Sequence, residues 1–247
     1  MFRLTLRTIV SHKRRMVSTV LSIVLGIAFL AGTLVFTDSL QRTFDDLFSS
    51  VYASTDAVVR SSEEVKTQAG TTRGRIPDAM LAVVAEVPGV AEVMGSVTGS
   101  ARILAKDGDP LGVDQGSPNF GMEMNDSASS AWTTVAGRAP IDGTEMAMDK
   151  GSFDQGDFTL NDAVTVISQQ GPRTFTVVGV VRFGSADSPA GSRVALFDLA
   201  TAQEFVGQPG QLDSINVRGD GSLEPGALVA RIAQDLPAGI EALTGQE

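Results

Sequence analysis

The sequence predicts an α+β membrane protein: one N-terminal transmembrane helix, extended outward as a stalk, followed by a mixed α/β extracytoplasmic domain. Three observations support this fold class. Residues 17–36 contain no charged side chain. Residues 1–16 contain five basic side chains and no acidic one. Beyond residue 50 the apolar positions change from one continuous helical spacing to alternating segments of helical and strand-like spacing.

Residues 17–36 are long enough to cross a bilayer as a helix, because about 1.5 Å per residue gives roughly 30 Å, the thickness of the hydrocarbon core. A cleaved signal peptide is the alternative, but its apolar region usually spans about 7–15 residues, and no clear small-residue cleavage site follows here. Since lysine and arginine are retained on the cytoplasmic side, we expect an uncleaved plasma-membrane anchor with a cytoplasmic N-terminus. The basic residues concerned are Arg3, Arg7, Lys13, Arg14 and Arg15.

Residues 1–16 predict a basic segment at the cytoplasmic membrane surface. Phe2, Leu6 and Ile9 fall near one face of a helix whose other positions include arginines, as in amphipathic helices that lie in the interface. A disordered basic tail is the alternative interpretation. In either form, the positive charge favours contact with anionic membrane lipids.

Helical spacing continues beyond the apolar segment, over residues 37–50. Leu40 and Phe44 share one face, while Arg42 and Asp45 lie on the other at a spacing that allows an ion pair. The sequence therefore predicts that the membrane helix continues out of the bilayer as a stalk.

Residues 51–247 predict a domain of alternating strands and helices. Helices are expected at Pro77–Val87, where Pro77 suits the first turn, and at Leu199–Phe205 and Pro225–Leu236. Strands are expected where β-branched and aromatic residues cluster or alternate. The predicted strands are Asp56–Ser61, one long or two short strands across Val90–Lys106, Glu145–Met148, Ala163–Gln169, Arg173–Phe183, Arg193–Phe197 and Ser214–Arg218.

Two segments of this domain predict irregular structure. Ser62–Arg75 is polar and rich in glycine and threonine, and residues 112–135 are low in hydrophobicity. A turn is expected at Asp107–Pro110. Trp132, the only tryptophan of the sequence, is interpreted as a buried anchor, with an exposed binding aromatic as the alternative.

Composition excludes several classes of function. Of 19 basic residues, five precede residue 17, leaving 14 against 29 acidic residues and a net charge of −15 for residues 17–247. Such an acidic surface repels nucleic acid, so nucleic acid is excluded as a partner. The sequence has no cysteine, and its only histidine, His12, lies on the predicted cytoplasmic side, so thiolate and imidazole chemistry is excluded outside.

No catalytic residue, cofactor site or metal site is predicted. Two acidic clusters lack the twelve-residue spacing and terminal glutamate of a calcium loop, and are interpreted as acidic turns. Nor does the sequence contain G-x-x-x-x-G-K-[ST], the loop that holds the phosphates of ATP in many ATPases. We therefore expect a protein that is not an enzyme. The clusters are Asp107 with Asp109, and Asp154, Asp157, Asn161 and Asp162.

Six motifs in a fixed order resemble the N-terminal part of the MacB/FtsX-type ABC transporter permeases. Each motif alone is weak, whereas their order and spacing after an N-terminal anchor make the combination more specific. The motifs are the basic segment and span (Arg3–Phe36), VPGV (Val87–Val90), GRAPIDGTE (Gly137–Glu145), TFTVVGVV (Thr174–Val181), LFDLATAQEFVG (Leu196–Gly207) and DSINVR (Asp213–Arg218).

The resemblance implies a split porter-like lobe, formed by residues 51–110 and 210–247, with an inserted β-rich lobe at 111–209. It also implies a permease subunit that couples a separate cytoplasmic ABC ATPase to extracytoplasmic movement, in export, lipoprotein or lipid handling, or cell-wall regulation. Membrane lipids and a second permease subunit are further expected partners.

Such permeases generally have four membrane helices, whereas this sequence predicts one. It is therefore expected to be either a fragment or a single-span relative. The alternative function is a membrane-tethered binding or sensing module without an ATPase.

Overall fold

The computed structural model describes residues 21–34, 55–67, 70–112, 118–124, 127 and 130–245. The chain divides into two compact units, Met1–Ser49 and Ser50–Glu247. In the first unit, residues 21–34 form helix α1, whose described side chains are all exposed. Among the described residues, no helix is both long enough and apolar enough to span a membrane. The predicted basic segment, the stalk and both ends of the predicted span lie outside the described residues, so they stay predictions.

The second unit contains short helices and two main β-sheets. The helices are α2 (Met80–Ala85), α3 (Lys150–Gln155), α4 (Leu199–Phe205) and α5 (Pro225–Asp235). The strands are β1 (Ala57–Ser61), β2 (Glu64–Thr67), β3 (Gly70–Arg73), β4 (Ile76–Pro77), β5 (Val90–Ser96), β6 (Thr98–Ile103), β7 (Asn119–Glu123), β8 (Trp132–Gly137), β9 (Glu145–Asp149), β10 (Ala163–Ser168), β11 (Gly171–Phe183), β12 (Arg193–Phe197), β13 (Gln211–Leu212), β14 (Ser214–Gly219) and β15 (Ile240–Thr244).

The first sheet has four antiparallel strands in the order β15-β1-β14-β5. Alternate residues of β1 are buried, beginning with Ala57 and Val59, as expected for a sheet with one covered face. The buried Val84 of α2 and Leu228 and Ile232 of α5 belong to the same core as these strands. The sheet is therefore a two-layer α/β unit made from the two ends of the domain.

The second sheet closes on itself. Strand β10 pairs with both β6 and β11, so the strands β10-β6-β7-β12-β9-β11 form a ring, and β8 adds to the second half of β11. Every residue of β12 is buried. Phe175 of β11, Phe197 of β12 and Phe205 of α4 pack with ring centroids 4.8–5.5 Å apart. These rings fill the interior, which makes this part a packed barrel.

Both sheets share one hydrophobic core, which includes Ile76, Val97 and Leu212 near the first sheet and Phe197 in the barrel. Apolar side chains packed at the density of protein interiors do not slide freely past one another. The two sheets are therefore parts of one packed body, within Ser50–Glu247.

Most predicted elements are confirmed. Helix α4 has the predicted bounds, the segment Val90–Lys106 forms two short strands, and the turn at Asp107–Pro110 is present. The remaining predicted strands and the last helix are found with ends shifted by at most two residues. Trp132 is half-buried, between the predicted buried anchor and the exposed alternative, and packs edge-to-face on Phe183 at 5.1 Å.

Three predictions are wrong in detail. Ser62–Arg75 is not a loop, because β2 and β3 form a hairpin there. Residues 112–135 are not irregular throughout, since β7 pairs with β6 and β12, and β8 pairs with β11. Pairing with neighbouring strands orders both segments, and β8 also has a local strand signal in Trp132, Thr133, Thr134 and Val135. Helix α2 begins later than predicted because Ile76 and Pro77 pair with β13, and it ends at Ala85, ahead of the turn at Pro88-Gly89.

Candidate functional site at the junction of the two sheets

The chain passes between the two sheets at two places. Val97 lies between β5 of the first sheet and β6 of the barrel, and is fully buried. The chain returns after α4, where Gly207 packs on Val97: a Cβ atom at Gly207 would lie 2.6 Å from Val97 Cγ1. The final glycine of the LFDLATAQEFVG motif is therefore needed for the close approach of the outgoing and returning segments.

Two carboxylates, one from each side of the junction, hold the outgoing segment. The backbone N–H of Val97 donates to Glu123 Oε2 at 2.6 Å, and the N–H of Thr98 donates to Asp213 Oδ2 at 2.6 Å. Glu123 ends β7 in the barrel, whereas Asp213 directly precedes β14 in the first sheet. The consecutive N–H groups of Val97 and Thr98 are therefore held by side chains from the two sheets that this segment connects. Each hydrogen bond is of the strong, charge-assisted kind when its carboxyl acceptor is ionised.

Arg75 is the cation of this junction. Its Nε donates to Asp213 Oδ1 at 2.7 Å, and the two side chains are 25% and 35% exposed. At this exposure the pair contributes at most about 1 kcal/mol to folding stability. Its main effect is positional, because it ties the segment before β4 to the loop before β14.

The Glu123 carboxyl is unusual in its charge state. Its pKa is raised to about 7, chiefly because burial disfavours the charged form, with a smaller contribution in the same direction from the negative charge of Asp213. Hydrogen bonds from the backbone of Val97 and from the Ser96 side chain act in the opposite direction but are smaller effects. The junction therefore contains a carboxyl group that exchanges its proton close to neutral pH.

Gln203 of α4 adds a second link across the junction. Its Nε2 donates to Asp78 Oδ2 and to the Gln211 carbonyl, each at 3.2 Å. Nearby, a Cβ atom at Gly95 would lie 2.9 Å from a methyl carbon of Leu212. Helix α4, β13 and the end of β5 are therefore in direct contact, and their relative orientation is fixed by packing.

A second buried carboxylate, Asp149, lies inside the barrel region. It caps α3 by accepting from the Ser152 N–H at 3.0 Å, and it accepts from the Val194 N–H at 2.8 Å. The hydroxyls of Ser152 and Ser188 also donate to it. Four donors satisfy this fully buried group, so its role is to join β9, α3 and β12.

The residues of the acidic clusters form turns. Asp162 accepts from the Thr159 N–H at 2.8 Å and pairs with Lys106 at 3.0 Å, while Asp107 accepts from the Asp109 N–H at 3.1 Å. Asp154 pairs with Lys150. Among the described residues, no group of three or more histidine, cysteine, aspartate or glutamate side chains is placed to hold a metal ion.

The sequence did not single out Glu123, Arg75 or Asp149 as functional. For Asp149 a signal was available, since aspartate is a preferred helix N-cap residue and Asp149 directly follows the predicted strand Glu145–Met148. The only sequence signal for Glu123 is that it is a single acidic residue between two methionines. Neither pattern indicates the junction, because the contact between Glu123 and Val97 joins residues 26 positions apart.

Comparisons with known proteins agree with this architecture. The sequence matches the MacB-like periplasmic core domain family over residues 16–238. The structure is similar to the periplasmic region of MacB from Actinobacillus actinomycetemcomitans, with a TM-score of 0.57 and 10% identity, over 77% of this chain and 88% of that one.

It is also similar to the extracellular domain of the noncanonic ABC-type transporter YknZ from Gram-positive bacteria. That likeness has a TM-score of 0.50 and 12% identity, and covers 75% of this chain and 98% of that one. Among curated proteins no match is found. At these identities the two structures establish the fold, whereas the family match covers most of the sequence. This chain belongs to the family of MacB-like periplasmic core domains.

Proposed function

We propose that this chain is a permease subunit, or part of one, of an ABC transporter of the mechanotransmission type. The single observation that supports this most is the family match over residues 16–238, which begins at the predicted membrane span and extends through the folded domain. In this proposal the chain sits in the plasma membrane with residues beyond about 37 outside. The porter-like lobe, proposed for residues 51–110 and 210–247, contains every strand of the first sheet and also β6 of the barrel. The inserted lobe, proposed for residues 111–209, contains the remaining barrel strands.

A separate cytoplasmic ABC ATPase supplies the energy in this proposal. The sequence lacks a P-loop of its own, so ATP would be bound by another polypeptide. ATP binding and hydrolysis there would move the membrane helix and the stalk over residues 37–50. An unbroken helix transmits tilt or rotation because its backbone hydrogen bonds resist bending.

The junction is the part of the domain suited to pass this movement on. Glu123 and Asp213 bind consecutive backbone N–H groups from opposite sides, and the core is shared by both sheets. A displacement of the first sheet would therefore carry the barrel with it. The cargo moved or the process regulated outside would be a lipoprotein, a lipid, an exported compound or a cell-wall enzyme.

The stalk offers the sharpest test of this mechanism. Inserting Gly-Pro after Gln41 breaks the helical hydrogen bonding that would carry the movement. We expect ATPase activity of the complex to persist while nucleotide-dependent movement of the domain, measured between spin labels, is lost. The sequence has no cysteine, so labelling sites can be introduced singly. A Gly-Pro insertion in the exposed turn at Gly108 is the matched control, and coupling that survives the Gln41 insertion would refute the lever mechanism.

A membrane-tethered binding or sensing module without an ATPase is the second candidate function. The two candidates differ in one observable, the presence of an ATPase in the purified assembly.

A further inference from the structure

Strand β8 presents an exposed, uncharged edge. Residues Trp132–Gly137 contain no charged side chain, and five of the six are exposed. Within the described part of the chain, β8 pairs only with β11, which leaves its other edge without a neighbouring strand. An edge of this kind offers a row of backbone N–H and C=O groups to another extended chain.

Apolar side chains are concentrated beside this edge. The described residues of the Ser50–Glu247 unit have four exposed large apolar side chains, and two of them, Val135 and Ile141, belong to β8 and the loop that follows it. Ile141 is 73% exposed. The other two, Val83 and Ile167, lie on α2 and β10.

The loop that carries Ile141 is held rigidly. Arg138 Nη1 and Glu145 Oε2 pair at 2.6 Å, and the Ile141 N–H donates to the same Glu145 oxygen at 3.1 Å. Arg173 donates to the Gly143 carbonyl at 2.8 Å. An exposed isoleucine in a pre-organised loop loses little conformational entropy on binding, which favours a role in recognition.

Strand β8 also contains a β-bulge, which limits the pairing of its edge with other strands. Val135 is an extra residue in β8: Ala136 opposes Val180 and Thr134 opposes Val181, so Val135 has no opposite residue in β11. Bulges of this type twist an edge strand and prevent indefinite stacking. A bulged edge therefore suits one partner strand of matching shape better than repeated copies of itself.

The charge of this chain distinguishes two candidate partners for the β8 edge, a second copy of the chain and a different, basic protein. Strand β8 itself is neutral, and beside it Arg138 pairs with Glu145 and Arg182 with Asp187, which leaves Asp142 of the same loop as one excess negative charge. Residues 17–247 as a whole carry −15, so a second copy of this chain is repelled while a basic partner is attracted. The complementary ligand is an extended neutral segment flanked by lysine or arginine.

We infer that the edge of β8, together with Val135 and Ile141, is a docking site for an extended, uncharged segment of a partner protein with basic flanks. The segment would add antiparallel or parallel to β8 through backbone hydrogen bonds. Its apolar side chains would contact Val135 and Ile141.

The test uses the full chain in detergent micelles and a fluorescent peptide of alternating threonine and valine, flanked on each side by lysines. Fluorescence anisotropy should give saturable binding that weakens at least about tenfold, or about 1.4 kcal/mol, in Val135→Lys and in Ile141→Lys. Ile167→Lys is the matched control, because it places the same charge at an exposed apolar position of a strand paired on both sides, and it should bind as the wild type does.

Two further peptides separate strand addition from general attraction. Prolines at alternate positions remove the backbone donors and should abolish binding, and glutamates in place of the flanking lysines should weaken it. Equal binding of the proline peptide, or unchanged binding in Val135→Lys, would overturn the proposal. Self-association of the wild-type chain that disappears in Val135→Lys would also overturn it, because the occupant would then be a second copy. The Trp132 fluorescence of each variant reports whether the barrel is folded.

Discussion

Replacing Glu123 by glutamine tests whether the junction contains a proton-binding carboxyl. Burial raises the pKa of Glu123 from its ordinary 4.5 to about 7, so the folded protein binds a proton in the range where the unfolded chain has released it. The contribution of this group to stability is present below about pH 4.5 and is lost as the pH rises through 7. A pKa difference of this size corresponds to about 3 kcal/mol.

The variant should lose this pH dependence. Glutamine is neutral at every pH, and its carbonyl oxygen can still accept from the Val97 N–H. It also ends the repulsion by Asp213, while the pair between Asp213 and Arg75 remains. We therefore expect Glu123→Gln to match the wild type near pH 4.5 and to exceed its unfolding free energy by about 2–3 kcal/mol at pH 8.

Urea unfolding at the two pH values, followed by the fluorescence of Trp132, measures these free energies. Asp162→Asn is the control, since the pKa of Asp162 is lowered, chiefly by the Thr159 N–H and then by Lys106. The stability that Asp162 contributes is present above its ordinary pKa of 3.8 and is lost only as the pH falls below that value. If the unfolding free energies of the wild type and of Glu123→Gln depend equally on pH between 4.5 and 8, the proposed role of Glu123 at the junction is refuted.

Further predictions concern the barrel. Asp149→Ala leaves the buried Val194 N–H unsatisfied and should lower the unfolding free energy by about 3 kcal/mol, against about 1 kcal/mol for Asp198→Ala at the half-exposed cap of α4. Gly137→Ala places Cβ 2.0 Å from the Val178 carbonyl oxygen at a φ of 72° and should cost more than about 2 kcal/mol. Gly171→Ala, with φ at 101° and open space, should cost about 1 kcal/mol, and equal losses at both glycines would contradict the close contact. Urea unfolding measures all four variants.

The sequence predicted elements well where local chemistry determines them. Helix α4 follows Asp198, which caps it, and most positions of β11 from Thr174 to Val181 are β-branched, so local chemistry predicts both elements. The hairpin of β2 and β3 and the strand β7 were missed, because glycine and charged residues interrupt their few strand-favouring positions and the strands are ordered by pairing with a neighbour.

The site was less accessible from the sequence than the fold. Closure of the barrel depends on β10 pairing with β6, which is distant in sequence, as well as with the adjacent β11, and the junction brings Glu123 and Asp213 to consecutive backbone N–H groups. Neither arrangement has a local sequence signature. The raised pKa of Glu123 follows from its surroundings, which exist only in the folded chain.

Purification of the full chain from its native membranes, followed by an ATP hydrolysis assay, tests the proposed function most directly. The account predicts that a separate polypeptide with a P-loop co-purifies and hydrolyses ATP, while this chain alone does not. A well-folded, membrane-derived chain that consistently purifies without any ATPase would contradict the proposal and favour the tethered binding module.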